Sequence, residues 1–109
     1  MYGGAVANPD QFVIAKFDFE DPLYLHPSDT TGTPILTLKL CGTENYKVWS
    51  CAMVLALETK NKLGFVVGTC VKPVNDPILA KQWDSCNSVV LSWILSSVTE
   101  ELFLGQVLK

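Results

Sequence analysis

One stretch of the chain decides the fold: residues 40–57, Leu-Cys-Gly-Thr-Glu-Asn-Tyr-Lys-Val-Trp-Ser-Cys-Ala-Met-Val-Leu-Ala-Leu. It begins with a turn at Gly42 and two residues, Thr43 and Asn45, whose side-chain oxygens can cap the first turn of a helix. From residue 46 onward, apolar residues recur at steps of three and four, which is the period of one helical face. They are Tyr46, Trp49, Met53, Ala56 and Leu57. The stretch therefore predicts a helix, which we call the central helix.

A second apolar stripe lies beside the first on the central helix and contains Val48, Cys51, Ala52 and Leu55. A helix that is apolar on two faces is normally buried between partners and not laid on a surface. The helix should end near Asn61, because asparagine tolerates the left-handed backbone conformation that closes many helices.

Two segments that flank the central helix have the pattern of short strands. Apolar residues alternate with Thr37 and Lys39, which predicts a half-buried strand over residues 35–40. Residues 63–68 are apolar and carry glycines near both ends, and we expect them to pair with the first segment. Together they predict a short two-stranded β element that leans on the helices.

The N-terminal part of the chain carries no helical pattern. Residues 1–20 lack sustained periodicity and are predicted to be a flexible arm. In residues 21–30, two prolines push their predecessors toward extended geometry. We expect this segment to lie extended against the body through Leu23, Tyr24 and Leu25.

Two further helices follow the central one. Asp76 and Pro77 form a strong helix start, since a capping carboxylate precedes proline at the first helical position. The helix over residues 78–97 carries one apolar stripe: Leu79, Trp83, Cys86, Val90, Trp93 and Ser97. Thr99 caps a third helix whose apolar residues are Leu102, Phe103, Val107 and Leu108. Because the chain stops with this face unused, we expect residues 21–109 to be a domain truncated at its C-terminus.

These elements predict a mainly α fold with one shared core between the central and second helices. The expected core residues are Tyr46, Trp49, Met53, Leu57, Trp83, Val90 and Trp93. Composition agrees with a folded domain, because 49% of the residues are hydrophobic and 17% are charged. The net charge is −3 and the basic residues are scattered, which argues against nucleic-acid binding by this chain alone.

The chemistry-bearing residues do not form a recognisable site. The four cysteines contain no Cys-x-x-Cys pair, and the single histidine, His26, lies far from them, so metal-ligand spacing is missing. No glycine-rich phosphate loop and no nucleophile paired with a base is present. We therefore expect no catalytic residues, metal, cofactor or small-molecule substrate, and no enzyme. The cysteines are predicted to be reduced and mostly buried.

No secretory signal opens the chain, and the longest apolar run is far too short to span a bilayer. The sequence therefore predicts a cytoplasmic protein without a membrane partner.

Four segments together carry a resemblance to a known family. They are residues 21–29 (Asp-Pro-Leu-Tyr-Leu-His-Pro-Ser-Asp), residues 40–57, residues 60–66 (Lys-Asn-Lys-Leu-Gly-Phe-Val) and residues 83–98. In this combination the chain resembles, over residues 21–109, the N-terminal Gag-like region of copia-type LTR retrotransposon polyproteins of plants. Two residues depart from the family pattern: Cys51 stands where a basic residue is common, and Val67 where an acid is common.

The resemblance implies a small helical, capsid-like module of a polyprotein. It also implies that RNA would be bound only through downstream regions. The leading hypothesis is a building block that self-associates in particle assembly, with candidate contact residues Leu55, Leu102, Phe103 and Val107. The alternative is a monomeric, domesticated or degraded remnant that binds another protein, with Leu23, Tyr24 and Leu25 folded over the same apolar surface.

Overall fold

The computed structural model describes residues 20–107, except for the side chains at positions 103 and 105–107. Most of the predicted N-terminal arm, together with Leu108, lies outside the described residues. A 3-10 turn at Thr43–Asn45 precedes the four α-helices of this part of the chain: α1 at Tyr46–Thr59, α2 at Gly64–Val67, α3 at Pro77–Ser96 and α4 at Glu100–Val107. The prediction of a mainly helical fold is confirmed. Between residues 20 and 107, none of the helices is both long and apolar enough to cross a membrane.

The start of α3 follows the predicted capping pattern. The Asp76 carboxylate accepts hydrogen bonds from the backbone N–H groups of Ile78 and Leu79, at 3.1 and 3.2 Å, and Pro77 occupies the first helical position. These bonds satisfy donors that the helix itself leaves unpaired. Helix α3, which the sequence analysis predicted as the second long helix, therefore begins at the residue that the sequence indicates.

The central helix, α1, begins differently from the prediction. The Asn45 side chain makes no capping bond; its Oδ1 accepts from the N–H of Cys41 at 3.0 Å and its Nδ2 donates to the Lys39 carbonyl at 2.8 Å. Asn45 therefore closes the preceding loop, and the 3-10 turn leads into α1. The predicted end is confirmed, since Asn61 adopts the left-handed conformation with φ 57°.

The predicted two-stranded β element is wrong. Residues 64–67 form the short helix α2, and residues 35–39 form no strand. A β-carbon on Gly64 would lie 2.9 Å from the hydroxyl of Thr69, and Gly68 has φ 91°, so these glycines permit a tight helical turn. Leu40 instead forms an isolated parallel bridge with Val98, in which the Leu40 N–H donates to the Ser97 carbonyl at 2.7 Å.

The core lies between the facing sides of α1 and α3. It contains six buried residues, three from each helix: Trp49, Met53, Leu57, Val89, Val90 and Trp93. Trp49 also bridges the two helices, because its Nε1 donates to the Ser97 carbonyl at 3.0 Å. Burial of these side chains is the main source of stability that holds α1 against α3.

Two expected core residues lie elsewhere. Tyr46 is 54% exposed, because it is one turn before Trp49, which already reaches the residue that ends α3. Trp83 is half-buried and lies outside the core. It packs against α2, with its ring centroid 5.4 Å from that of Phe65. The core is therefore shorter at both ends than the apolar stripes of the sequence indicate.

All four cysteines are free. The prediction that they are mostly buried is wrong. Cys86 is buried and Cys70 is half-buried, whereas Cys41 and Cys51 are exposed. The two exposed thiols lie in the loop before α1 and on the side of α1 that faces away from α3.

Residues 20–30 form a docked segment held by its backbone. Leu23 is buried, and side chains of the helical body donate to four carbonyls of the segment. The five bonds join Asn61 to Glu20 at 3.0 Å, Gln82 and Cys86 to Leu23 at 2.7 and 3.2 Å, Lys62 to Tyr24 at 2.6 Å, and Trp93 to Thr30 at 3.1 Å. The predicted docking is confirmed, although turns interrupt the extended geometry.

Candidate self-association surface

The side of α1 that faces away from the core is apolar and exposed. We call it the outer face and define it by Val48, Cys51, Val54 and Leu55. Leu55 is 65% exposed and Val48 is 64% exposed, whereas Trp49, Met53 and Leu57 on the opposite side are buried. This burial divides α1 between a core face and a face that remains open to solvent, and it places the predicted contact residue Leu55 on the open face.

The outer face is not flat. Ser50, Cys51, Val54 and Leu55 line an open hollow of about 410 Å³. A shallow apolar hollow suits a side chain from a partner better than a small polar ligand, because few hydrogen-bonding groups converge there.

A second apolar surface lies where α4 meets the start of α1. Leu40, Gly42, Thr43, Tyr46 and Leu102 line a cleft of about 270 Å³. The N–H of Leu102 donates to the Thr99 hydroxyl at 3.3 Å, which confirms Thr99 as the cap of α4. The predicted contact residue Leu102 thus lies in this cleft, separate from the hollow beside Leu55.

The other two predicted contact residues are on α4, but their side chains lie outside the described residues. Phe103 and Val107 both fall within the helix Glu100–Val107. Leu104, between them, is 43% exposed. The structure therefore supports an open apolar position on α4 without describing its two predicted anchors.

A third, polar pocket of about 330 Å³ lies beside the docked segment. Its charged groups already have partners within the chain: Lys62 donates to the Tyr24 carbonyl, and Lys60 Nζ lies 3.1 Å from Asp29 Oδ1. The Lys60–Asp29 contact is an ion pair without the alignment of a hydrogen bond. Lys60 also lies 5.9 Å from the centre of the Trp93 ring. The residues that line this pocket therefore hold the docked segment against the loop after α1.

Burial changes the pKa of two groups that donate to carbonyls of the docked segment, Lys62 and Cys86. Desolvation lowers the pKa of Lys62, and the nearby Cys86 and Asp29 oppose that shift. Desolvation raises the pKa of the Cys86 thiol to about 11, although the Lys62 charge acts in the other direction. The thiol therefore stays protonated at neutral pH and donates to the Leu23 carbonyl, which leaves it a structural group and not a nucleophile.

Metal binding finds no support in the part of the chain that the structure describes. There, no group of three or more histidine, cysteine, aspartate or glutamate side chains is placed to hold an ion. His26 Nδ1 lies 2.8 Å from the Ser28 hydroxyl, inside the turn that positions Asp29.

The sequence predicted the outer face but not its residue Val54. It also left open whether the docked segment covers this face. Val54 was absent from the predicted stripe, since it lies at the edge of the face at a step of three from Cys51. Tyr46 was assigned to the core, whereas it lines the cleft with Leu102. The docked segment does not cover Leu55, because its contacts are with α3 and with the loop after α1.

Comparison with known proteins gives one family. A model of the Gag-polypeptide of LTR copia-type matches residues 26–74, which run from the docked segment through α1 and α2 to the loop before α3. Neither a curated protein nor a solved structure matches the chain.

Proposed function

We propose that residues 21–109 form a structural building block whose copies associate in a retrotransposon particle, because residues 26–74 match the model of the Gag-polypeptide of LTR copia-type. Gag polypeptides as a class are structural, and this role requires no substrate or cofactor. RNA would be bound by other regions of the polyprotein, since the net charge of this chain is −3. We place the assembly in the cytoplasm.

The observation that carries this proposal is the exposure of the outer face. A domain of this size can form its core from one side of α1, and it does so with α3. The opposite side keeps Val48 and Leu55 more than half exposed. Contiguous exposed apolar surface on a small soluble domain is typical of a protein–protein contact.

A particle does not need each contact to be strong. The outer face and the cleft beside Leu102 are both small, and contacts below about 1,200 Å² are usually weak or transient. Two weak contacts on separate surfaces of one building block reinforce each other once many copies are joined, because later contacts form at high effective concentration. We therefore expect weak, concentration-dependent association of the isolated chain.

The test is the molar mass of the chain as a function of concentration. Sedimentation equilibrium should show a mass that rises above the monomer value at high micromolar concentration. Leu55→Asp should return the mass toward that of the monomer, because a buried carboxylate opposes apolar contact. Leu91→Asp is the matched control, since Leu91 is 50% exposed but lies on α3.

Phe103→Asp tests the contribution of α4 in the same experiment. If the unmodified chain remains a monomer throughout the concentration range, the building-block proposal is wrong. A monomeric remnant that binds another protein would then account better for the exposed outer face.

A further inference from the structure

Two opposite charges stand at the two ends of the outer face. Lys47 and Glu58 are both exposed, and they are eleven positions apart on α1. A step of eleven positions is just over three helical turns, so both side chains lie on nearly the same side of the helix, roughly 16 Å apart along its axis. Among the residues that the structure describes, neither forms an ion pair within the chain.

The residues between these charges have a matching symmetry. The midpoint of Lys47 and Glu58 falls between residues 52 and 53. The four residues that line the hollow form two pairs about the same midpoint: Cys51 with Val54, and Ser50 with Leu55. The outer face thus has an apolar centre and ends of opposite charge.

We propose that two copies of the chain pair through α1, antiparallel, about a two-fold axis at residues 52–53. This inference rests on the proposed function, because it specifies one of the contacts by which copies associate. The two-fold axis sets Cys51 of each copy against Val54 of the other, and it brings the Leu55 residues of the two copies to the same flank of the contact. Lys47 of each copy then meets Glu58 of the other, which gives two ion pairs.

The charges select this arrangement over its alternatives. A parallel pairing in the same register would set Lys47 against Lys47 and Glu58 against Glu58, so both contacts would be repulsive. Exposed ion pairs add little affinity, but charges at the rim of an interface fix the orientation of the partners. The apolar centre therefore supplies the attraction, and the two charges supply the direction and register.

Charge reversal tests the pairing directly. In Lys47→Glu, both pairs become Glu against Glu, and in Glu58→Lys both become Lys against Lys. Each variant alone should associate about 3–10 times more weakly than the unmodified chain, on the scale of charge-pair energies. An equimolar mixture of the two variants should regain the original affinity, because the mixed pair has two attractive contacts.

Two controls separate pairing from net charge. Lys81→Glu makes the same change of charge at an exposed lysine of α3 and should leave association unchanged. The double variant Lys47→Glu/Glu58→Lys keeps the net charge of −3 and restores both attractive contacts, so it should associate like the unmodified chain. Thermal unfolding of each variant checks that the fold is retained.

The outcomes distinguish this inference from the function on which it rests. A chain that stays monomeric overturns both. A chain that associates normally after either charge reversal, or variants that fail to recover on mixing, overturn the antiparallel pairing alone. In that case the copies meet through another surface, and the cleft beside Leu102 becomes the next one to test.

Discussion

The ammonium group of Lys62 donates a hydrogen bond to the carbonyl oxygen of Tyr24 across 2.6 Å, although 38 residues separate the two in the chain. Lys62 is only 1% exposed, so the donor of this part-buried bond lies inside the protein. A buried ammonium needs partners that replace its lost hydration, and here the oxygens of the peptide backbone take that role. This contact connects the docked segment to the loop that follows α1.

Replacing Lys62 with methionine should destabilise the chain by about 1–3 kcal/mol, because the partly buried Tyr24 carbonyl loses its donor. Chemical denaturation with urea measures the change. Lys39→Met is the matched control: Lys39 also donates to a carbonyl, that of Ser96 at 3.0 Å, but on the exposed surface. We expect less than about 0.5 kcal/mol there. Equal losses for both variants would contradict a structural role for burial of Lys62.

Trp49→Ala should largely unfold the chain. Truncation of a buried aromatic residue costs roughly 3–5 kcal/mol, and a domain of this size has on the order of 5–10 kcal/mol to lose. The variant also leaves the Ser97 carbonyl without its indole donor. Trp83→Ala should cost clearly less, since Trp83 is half-buried outside the main core. Circular dichroism during heating compares the two, and the reverse order of midpoints would show that the core is misassigned.

The Cys86 thiol should make stability fall as the pH rises above 9. Its pKa is 9.0 without the protein environment and about 11 in the folded chain. Between these values the unfolded chain loses a proton that the folded chain keeps, so unfolding is favoured as the pH increases. The whole shift corresponds to roughly 2–3 kcal/mol.

Lys62 contributes with the opposite sign. Its pKa is lowered in the folded chain, so between that lowered value and 10.5 the folded chain loses a proton that the unfolded chain keeps, and stability rises with pH. The measurement is therefore a difference: the decline of stability from pH 8 to pH 10 should be smaller in Cys86→Ala than in the unmodified chain. Cys51→Ser, which alters an exposed thiol, should leave the decline unchanged.

The cap of α3 gives a smaller and more local effect. Asp76→Ala should cost about 1 kcal/mol, because two N–H groups of the first helical turn lose their acceptor. Asp84→Ala removes a carboxylate from the exposed surface of the same helix, where it pairs with Lys72 at 3.0 Å. Exposed ion pairs contribute little, so urea denaturation should show the larger loss for Asp76→Ala. A larger loss at Asp84 would contradict the capping assignment.

Local signals predicted the helices where nothing competed with them. Asp76 and Pro77 mark the start of α3 by themselves, and Asn61 marks the end of α1, because capping depends on a few neighbouring residues. The strand over residues 35–40 failed for the opposite reason. A short alternating pattern becomes a strand only where a partner strand is available. The expected partner, residues 63–68, instead contains the short helix α2, whose tight turn Gly64 and Gly68 permit.

The docked segment was predicted in outline but not in mechanism. Its apolar residue Leu23 indicated contact with the body, and that residue is buried. The donors Lys62, Gln82 and Trp93 could not be assigned from sequence. Their acceptors are backbone carbonyls, which every residue carries, so the sequence of the segment does not show which of its residues accepts a hydrogen bond. The charge symmetry of Lys47 and Glu58 was present in the sequence, but it gained meaning only once the structure showed that side of α1 to be open.

The five bonds that hold residues 20–30 have a consequence for how this chain tolerates mutation. Every acceptor in these five bonds is a peptide carbonyl, and every residue type supplies one, so the bonds depend on the backbone path of the segment and not on its side chains. Exposed positions of the segment, such as Thr30, can therefore change with little loss of docking. The donors have less latitude, because a side chain without a donor group at position 62, 82 or 93 removes the bond itself. Mutational tolerance should therefore be unequal across this contact, high at the exposed positions of the segment and low at the residues of the body that donate to it.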